Sequence, residues 1–175
     1  MKVILVGAGI AGLSMAIALA QSHHQVVVLE AAPRLAEIGA GIQMTPQAVK
    51  YFFRWGLKDD ILAECIIPEK MCLRDHRDGS VLGVLHTGDL EKQYGAPYIV
   101  VHRAVLHAIL HRHAVRAGAE VLLDSRVIKY DFDNGAVELL SGKRIEADLV
   151  VAADGLFFSS PCTTLRTVHS TLLTH

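Results

Sequence analysis

The sequence predicts an α/β fold entered through a β-α-β crossover, and three observations carry that prediction. Gly7, Gly9 and Gly12 follow directly on the strand-like run Lys2–Val6 in the spacing Gly-x-Gly-x-x-Gly. A helix-length run, Leu13–Gln21, and a β-branched strand, Gln25–Glu30, come next. The acid ending that strand stands twenty-one residues after Gly9, close to the ~20 residues that separate the glycine turn from the ribose-binding acid of a dinucleotide site. Far down the chain, Asp148-Leu149-Val150-Val151-Ala152-Ala153 is a short apolar run of the kind expected of a buried parallel strand. Taken together they describe a Rossmann-like crossover with a further parallel strand.

Each fingerprint residue has a physical task. Gly7 allows the sharp exit from the first strand, and Gly9 leaves room where a Cβ would collide with an approaching pyrophosphate. Gly12 lets the helix lie close to the sheet. The helix start then offers unpaired N–H groups and the positive end of its dipole to phosphates, so no basic side chain is required there. Glu30 is placed to accept hydrogen bonds from the adenosine ribose hydroxyls, and its charge would repel a 2′-phosphate. The bland alternative for the glycine triad by itself is a tight structural turn; strands, helix and acid around it argue for a cofactor site.

The same N-terminus imitates a signal peptide, with Lys2, the apolar stretch Val3–Ala20 and the small-residue end Ala18-Leu19-Ala20. A signal peptide leaves the glycine spacing and the second strand unexplained, so the segment reads as fold and the expected location is cytoplasmic.

The remaining elements follow in order. Thr45-Pro46 opens a helix over Gln47–Trp55 that Gly56 closes, with Thr45 as its cap and Val49, Phe52 and Phe53 on its buried side. Asp59 or Asp60 caps a short helix through Ile61 and Cys65. Met71–Arg74 and Val81–Leu85 form a hairpin around Asp78-Gly79-Ser80. After a loop holding Tyr94-Gly95-Ala96-Pro97, strand Tyr98–Val101 leads to a helix from Arg103 to Ala117, closed by Gly118. Strands Glu120–Leu123, Arg126–Phe132 and Ala136–Leu140 precede the turn Ser141-Gly142-Lys143.

Composition removes several function classes. Seventeen Lys and Arg against eighteen Asp and Glu leave a formal charge of −1, no footprint for nucleic acid or an anionic membrane. Apolar residues make up 51% of the 175, ample for a core without disulfides, and Cys65, Cys72 and Cys162 read as free thiols. His107, His111 and His113 share a helix without the acid of a zinc-protease motif, so they read as exposed helix histidines and no metal is expected. No Gly-x-Ser-x-Gly elbow supports acyl transfer.

Two further features point to an anionic ligand. Arg103 opens a helix, where a cation meets the unfavourable end of the dipole unless an anion such as pyrophosphate offsets it. Gly39-Ala40-Gly41-Ile42-Gln43 is a second glycine-rich loop set before a helix. The alternatives are a solvated arginine and an ordinary connection.

The motifs Val6-Gly7-Ala8-Gly9-Ile10-Ala11-Gly12-Leu13, Leu29-Glu30, Ile38-Gly39-Ala40-Gly41-Ile42-Gln43, Val101-His102-Arg103 and Leu149-Val150-Val151-Ala152-Ala153-Asp154-Gly155, in this order and spacing, resemble the salicylate-hydroxylase-like FAD-dependent monooxygenases. The resemblance runs from Met1 to Gly155 and implies a p-hydroxybenzoate-hydroxylase-like FAD-binding fold. It further implies FAD as cofactor, NAD(P)H as reductant, O2 as oxidant and a small phenol-like ring as the substrate that takes up one oxygen. It places Glu30 on the adenosine ribose, Gly41 and Gln43 along the flavin side, Arg103 at the phosphate and ribityl region, and Asp154 near the pyrophosphate and NAD(P)H, beside Gly7, Gly9 and Gly12 as cofactor-binding residues. The NADH or NADPH preference and the oligomeric state stay open.

The resemblance breaks after Gly155, where Phe158 and Pro161 stand at the serine and arginine positions of the family motif. Residues 156–175 turn Ser/Thr-rich, and we read them as a non-homologous tail on a truncated FAD-binding region, residues 1–155, whose 71–85 hairpin belongs to an incomplete substrate region. The expected behaviour is weak FAD binding with little or no hydroxylation. Rival readings are an NAD-dependent dehydrogenase or reductase, resting on the same triad and Glu30, and a non-catalytic remnant.

Overall fold

The computed structural model describes residues 1–35, 39–131 and 133–155. Ile38, Phe132, Cys162 and the 156–175 segment, all addressed above from sequence, lie outside the described residues. The chain divides into two compact units, Met1–Ala36 with Leu110–His175 and Glu37–Ile109.

The first unit realises the predicted crossover. Strand β1 (Lys2–Val6), helix α1 (Ile10–Gln21) and strand β2 (Gln25–Leu29) are joined by parallel β1–β2 pairing that aligns Lys2 with Gln25 and Val6 with Leu29. Strands β7 (Glu120–Leu122) and β11 (Leu149–Ala152) extend a four-stranded parallel sheet in the order β11-β1-β2-β7. Buried on both faces, β1 and β2 need apolar side chains at nearly every position, which is why they read as continuous runs. Ile4, Val6, Val27 and Leu29 pack against Val127, Tyr130, Val137 and Leu139 of an antiparallel meander, β8 (Val127–Asp131), β9 (Ala136–Leu139) and β10 (Arg144–Glu146). By alternation Val3, Leu5, Val26 and Val28, also buried, face the other side. Helix α1 packs along β1 and β2 with Leu13, Ala16, Ile17 and Ala20 buried.

The meander carries a charge-tied turn. Asn134 donates through its side-chain amide to both oxygens of Asp131, and Arg144 Nη2 reaches Oδ2 at 2.7 Å. These bonds, Asn134 first, hold the Asp131 carboxyl down to about 2. A carboxylate depressed in the fold stabilises it above the unfolded value near ~4 and loses that contribution as pH falls toward 2. D131N is therefore expected to melt below the wild type at pH 7 and to match it near pH 2, as read by circular dichroism melts; a gap that persists at pH 2 would contradict the assignment.

The second unit holds helices α2 (Pro46–Arg54), α3 (Lys58–Leu62) and α4 (Leu90–Tyr94), the antiparallel pair β3 (Gly41–Met44) with β6 (Ile99–His102), and the hairpin β4 (Lys70–Arg74) with β5 (Val81–His86). Val49, Phe52, Leu57, Ile61 and Ile99 are buried. Helix α5 (Arg103–Arg116) begins here and the division between units falls within it. Cys65 and Cys72 are free, and burial pushes the Cys65 thiol up.

Several expectations need correction. Thr45 occupies the cap of α2 by position, yet its side chain makes no capping hydrogen bond. Phe53 is only half-buried, with Lys58 Nζ 5.5 Å from its ring centre. The cap of α3 is Leu57, and Asp59 and Asp60 lie inside its first turn, where their charges suit the dipole. Helix α4 occupies the expected loop before Gly95, and β10 is a strand not expected from sequence that follows the turn Ser141-Gly142-Lys143, each too short to show a period in sequence. Strand β11 is parallel as expected but half-exposed, because it is the edge of the described sheet, paired with β1 alone. His107 is buried at 6% exposure, not exposed.

Candidate functional site

The glycine turn is shaped by main-chain contact at two of its three positions. Gly7 has φ +106°, a left-handed conformation costly for other residues, and a Cβ there would stand 2.5 Å from the Ala153 carbonyl oxygen. At Gly12, which lies inside α1, a Cβ would fall 2.0 Å from the Gly7 carbonyl oxygen. Gly9 differs: its backbone is extended (φ −72°, ψ −179°) and a Cβ would meet no protein atom within 4 Å. Among the described residues nothing requires glycine at position 9, and the space it leaves opens on a cavity. Gly9 is also the N-cap of α1, without a side-chain hydrogen bond, and no acid lies in the first turn. The helix start thus keeps the donor character that attracts anions.

The cavity, about 400 Å³, sits at the carboxyl ends of β1, β2 and β11. The chain leaves β1 for β2 on one side while β11 pairs on the other, so this is a topological switch point, where open α/β sheets bind ligands. Gly7 and Gly9, Glu30 and Asp154 line it. Glu30 Oε2 accepts from the Ala8 amide and Oε1 from the Ala32 amide, both at 2.8 Å. These bonds tie the glycine turn to the end of β2 and leave each oxygen further lone-pair capacity. Asp154 Oδ2 accepts from the Tyr130 hydroxyl at 3.1 Å; burial first, and then the Asp154 charge, push the phenol well above its usual range. Sequence reading missed Ser125 and Arg126, which also line the cavity. Asp124 and Ser125 amides donate to the Ala32 and Glu30 carbonyls at 3.0 and 2.7 Å, and that pairing, invisible in sequence, brings the segment alongside Glu30.

Within the second unit, Gly41 and Gln43 lie on β3, not in the loop expected, with Gly41 opposite His102 and Gln43 opposite Val100. A Cβ at Gly39 would stand 1.9 Å from the His102 ring, so glycine there is a packing requirement. Gln43 Oε1 accepts from the buried Tyr98 hydroxyl at 2.5 Å. Arg103 is the first residue of α5, its amide bonded to the Ala40 carbonyl at 3.0 Å and no acid in the first turn. Among the described residues no group of histidine, cysteine and carboxylate side chains could hold a metal, and no helix is long and apolar enough to cross a membrane.

Comparison with known proteins decides the family: the model described as "FAD binding domain" matches residues 1–166. The chain belongs to the FAD binding domain family. That match continues beyond Gly155, where the motif resemblance stops. FAD-dependent monooxygenase OpS4 of Beauveria bassiana is 36% identical over 161 residues, covering 90% of this chain and 38% of that protein. The 3-hydroxybenzoate 6-hydroxylase of Polaromonas naphthalenivorans is 34% identical, covering 89% and 40%. The crystal structure of Klebsiella pneumoniae HpxO complexed with FAD and uric acid superposes with a TM-score of 0.75 at 31% identity, covering 89% and 39%. The chain therefore spans about two fifths of the length of these relatives. The matched model is that of an FAD-binding domain, and FAD is the cofactor it implies. This FAD-binding domain meets the physical demands of the cofactor's adenosine diphosphate half: an unfilled space at Gly9, an uncapped helix start and a carboxylate at the end of β2.

Proposed function

We propose that this chain supplies the adenosine diphosphate end of the flavin site in an NAD(P)H-dependent monooxygenase that hydroxylates a small phenolic or aromatic ring. The observation that carries the reading is the open space at Gly9, since glycine stands there for neither conformation nor packing. In this reading Gly7 and Gly12 set the turn, Gly9 and the first amides of α1 receive the pyrophosphate, and Glu30 holds the ribose hydroxyls. Asp154 borders the pyrophosphate. Gly41, Gln43 and Arg103 are assigned to flavin contacts by resemblance alone. Bound FAD would supply the redox chemistry; the protein's part is to position it and exclude water. The 175-residue chain by itself is expected to bind FAD weakly and to hydroxylate little or nothing.

The test is a thermal melt with and without FAD, together with a visible spectrum. A ligand selective for the native state stabilises it by about 2.7 kcal/mol at a hundredfold excess over Kd, so a concentration-dependent rise of several degrees is expected with FAD. Identical melts with and without FAD favour the non-catalytic remnant, and a shift with NAD in the absence of any flavin bands favours the dehydrogenase.

A further inference from the structure

We infer that Arg126 is an adenine-binding residue, its guanidinium lying over the base of the bound nucleotide. The inference rests on the cavity being an adenosine diphosphate site and adds a residue to it. Among the described residues four polar side chains line the cavity: Glu30, Ser125, Arg126 and Asp154. Three already have partners. Both Glu30 oxygens accept main-chain amides, the Ser125 hydroxyl donates to the Leu123 carbonyl at 3.0 Å, and Asp154 accepts from Tyr130. Arg126 makes no side-chain hydrogen bond or ion pair among the described residues, and its side chain is exposed.

Position separates base from phosphate. The phosphate-attracting features, Gly9 and the start of α1, lie at the end of β1, whereas Arg126 is held beside β2 by the Ser125-to-Glu30 and Asp124-to-Ala32 main-chain bonds. The Arg126 carbonyl is fixed as well, accepting from the Leu140 amide at 2.8 Å. An arginine whose main chain is fixed next to the ribose-binding acid, on the side away from the helix start, has its guanidinium within reach of where the base must leave the sugar. Guanidinium planes stack on nucleobases, and such contacts are worth a severalfold to tenfold change in affinity.

Calorimetric titration of the 175-residue chain with ADP and with inorganic pyrophosphate tests this. R126A is expected to weaken ADP about tenfold and to leave pyrophosphate within about twofold, at an unchanged melting temperature, with R126K failing to restore ADP binding because it lacks the plane. Equal ADP affinity in R126A overturns the inference, as does a parallel loss of pyrophosphate or full rescue by R126K, each of which makes the arginine a mere counter-charge. If the wild type binds no ADP at all, the site reading falls and this inference with it.

Discussion

Gly12→Ala is expected to lower the melting temperature by about 10 °C and to abolish FAD binding. The alanine Cβ would sit 2.0 Å from the Gly7 carbonyl oxygen and 3.2 Å from its carbon, with the Ala153 Cβ at 3.6 Å. Those atoms are main chain and held: the Gly7 amide donates to Leu29 and the Ala153 amide to Val6, both at 2.7 Å. No flexible side chain can give way, so α1 must lift from the sheet that Leu13 and Ile17 bury. Overpacking of this kind costs about 3 kcal/mol or more, which for a chain of this length corresponds to roughly 6–12 °C. The contrast is Gly9→Ala, whose Cβ meets nothing; it is expected to melt like the wild type while losing FAD affinity. A G12A protein that melts with the wild type would refute the packing argument.

Glu30→Ala should reduce FAD affinity about 100-fold and cost about 2 kcal/mol of stability. Two effects combine. The carboxylate that would hold the ribose disappears, and the Ala8 and Ala32 amides, each bonded to it at 2.8 Å, lose their acceptors. Hydrogen bonds to a charged acceptor contribute about 1.5–3 kcal/mol, and partly buried N–H groups left unpaired add their own cost. E30Q keeps the shape but only one acceptor oxygen, so it should fall between wild type and E30A in both measurements. Calorimetry for affinity and denaturant midpoints for stability separate the two contributions. Loss of stability with FAD affinity intact would make Glu30 a brace of the turn and nothing more.

The crossover was legible because its signals are local. Lys2–Val6 and Gln25–Leu29 are apolar throughout, since a central parallel strand is buried on both faces. The glycines at 7 and 12 announce a turn that no Cβ tolerates. Helix α1 begins at Ile10, ahead of the Leu13 start read from sequence, because Gly12 lies inside the helix and not before it. Where a feature depends on a distant partner, the residues are silent. Gly41 and Gln43 looked like loop because β3 is four residues long and exists only through its pairing with β6. Likewise, the apolar letters of Leu149–Ala152 suggested burial, but an edge position leaves them half-exposed.

Local periodicity and glycine spacing alone therefore determined the α/β class, the β-α-β entry and the residues at the ends of its strands. Tertiary structure decided which of those residues meet. It set Glu30 onto the Ala8 amide, Tyr130 onto Asp154 and Arg126 beside the end of β2, because each contact joins segments that only sheet order makes neighbours.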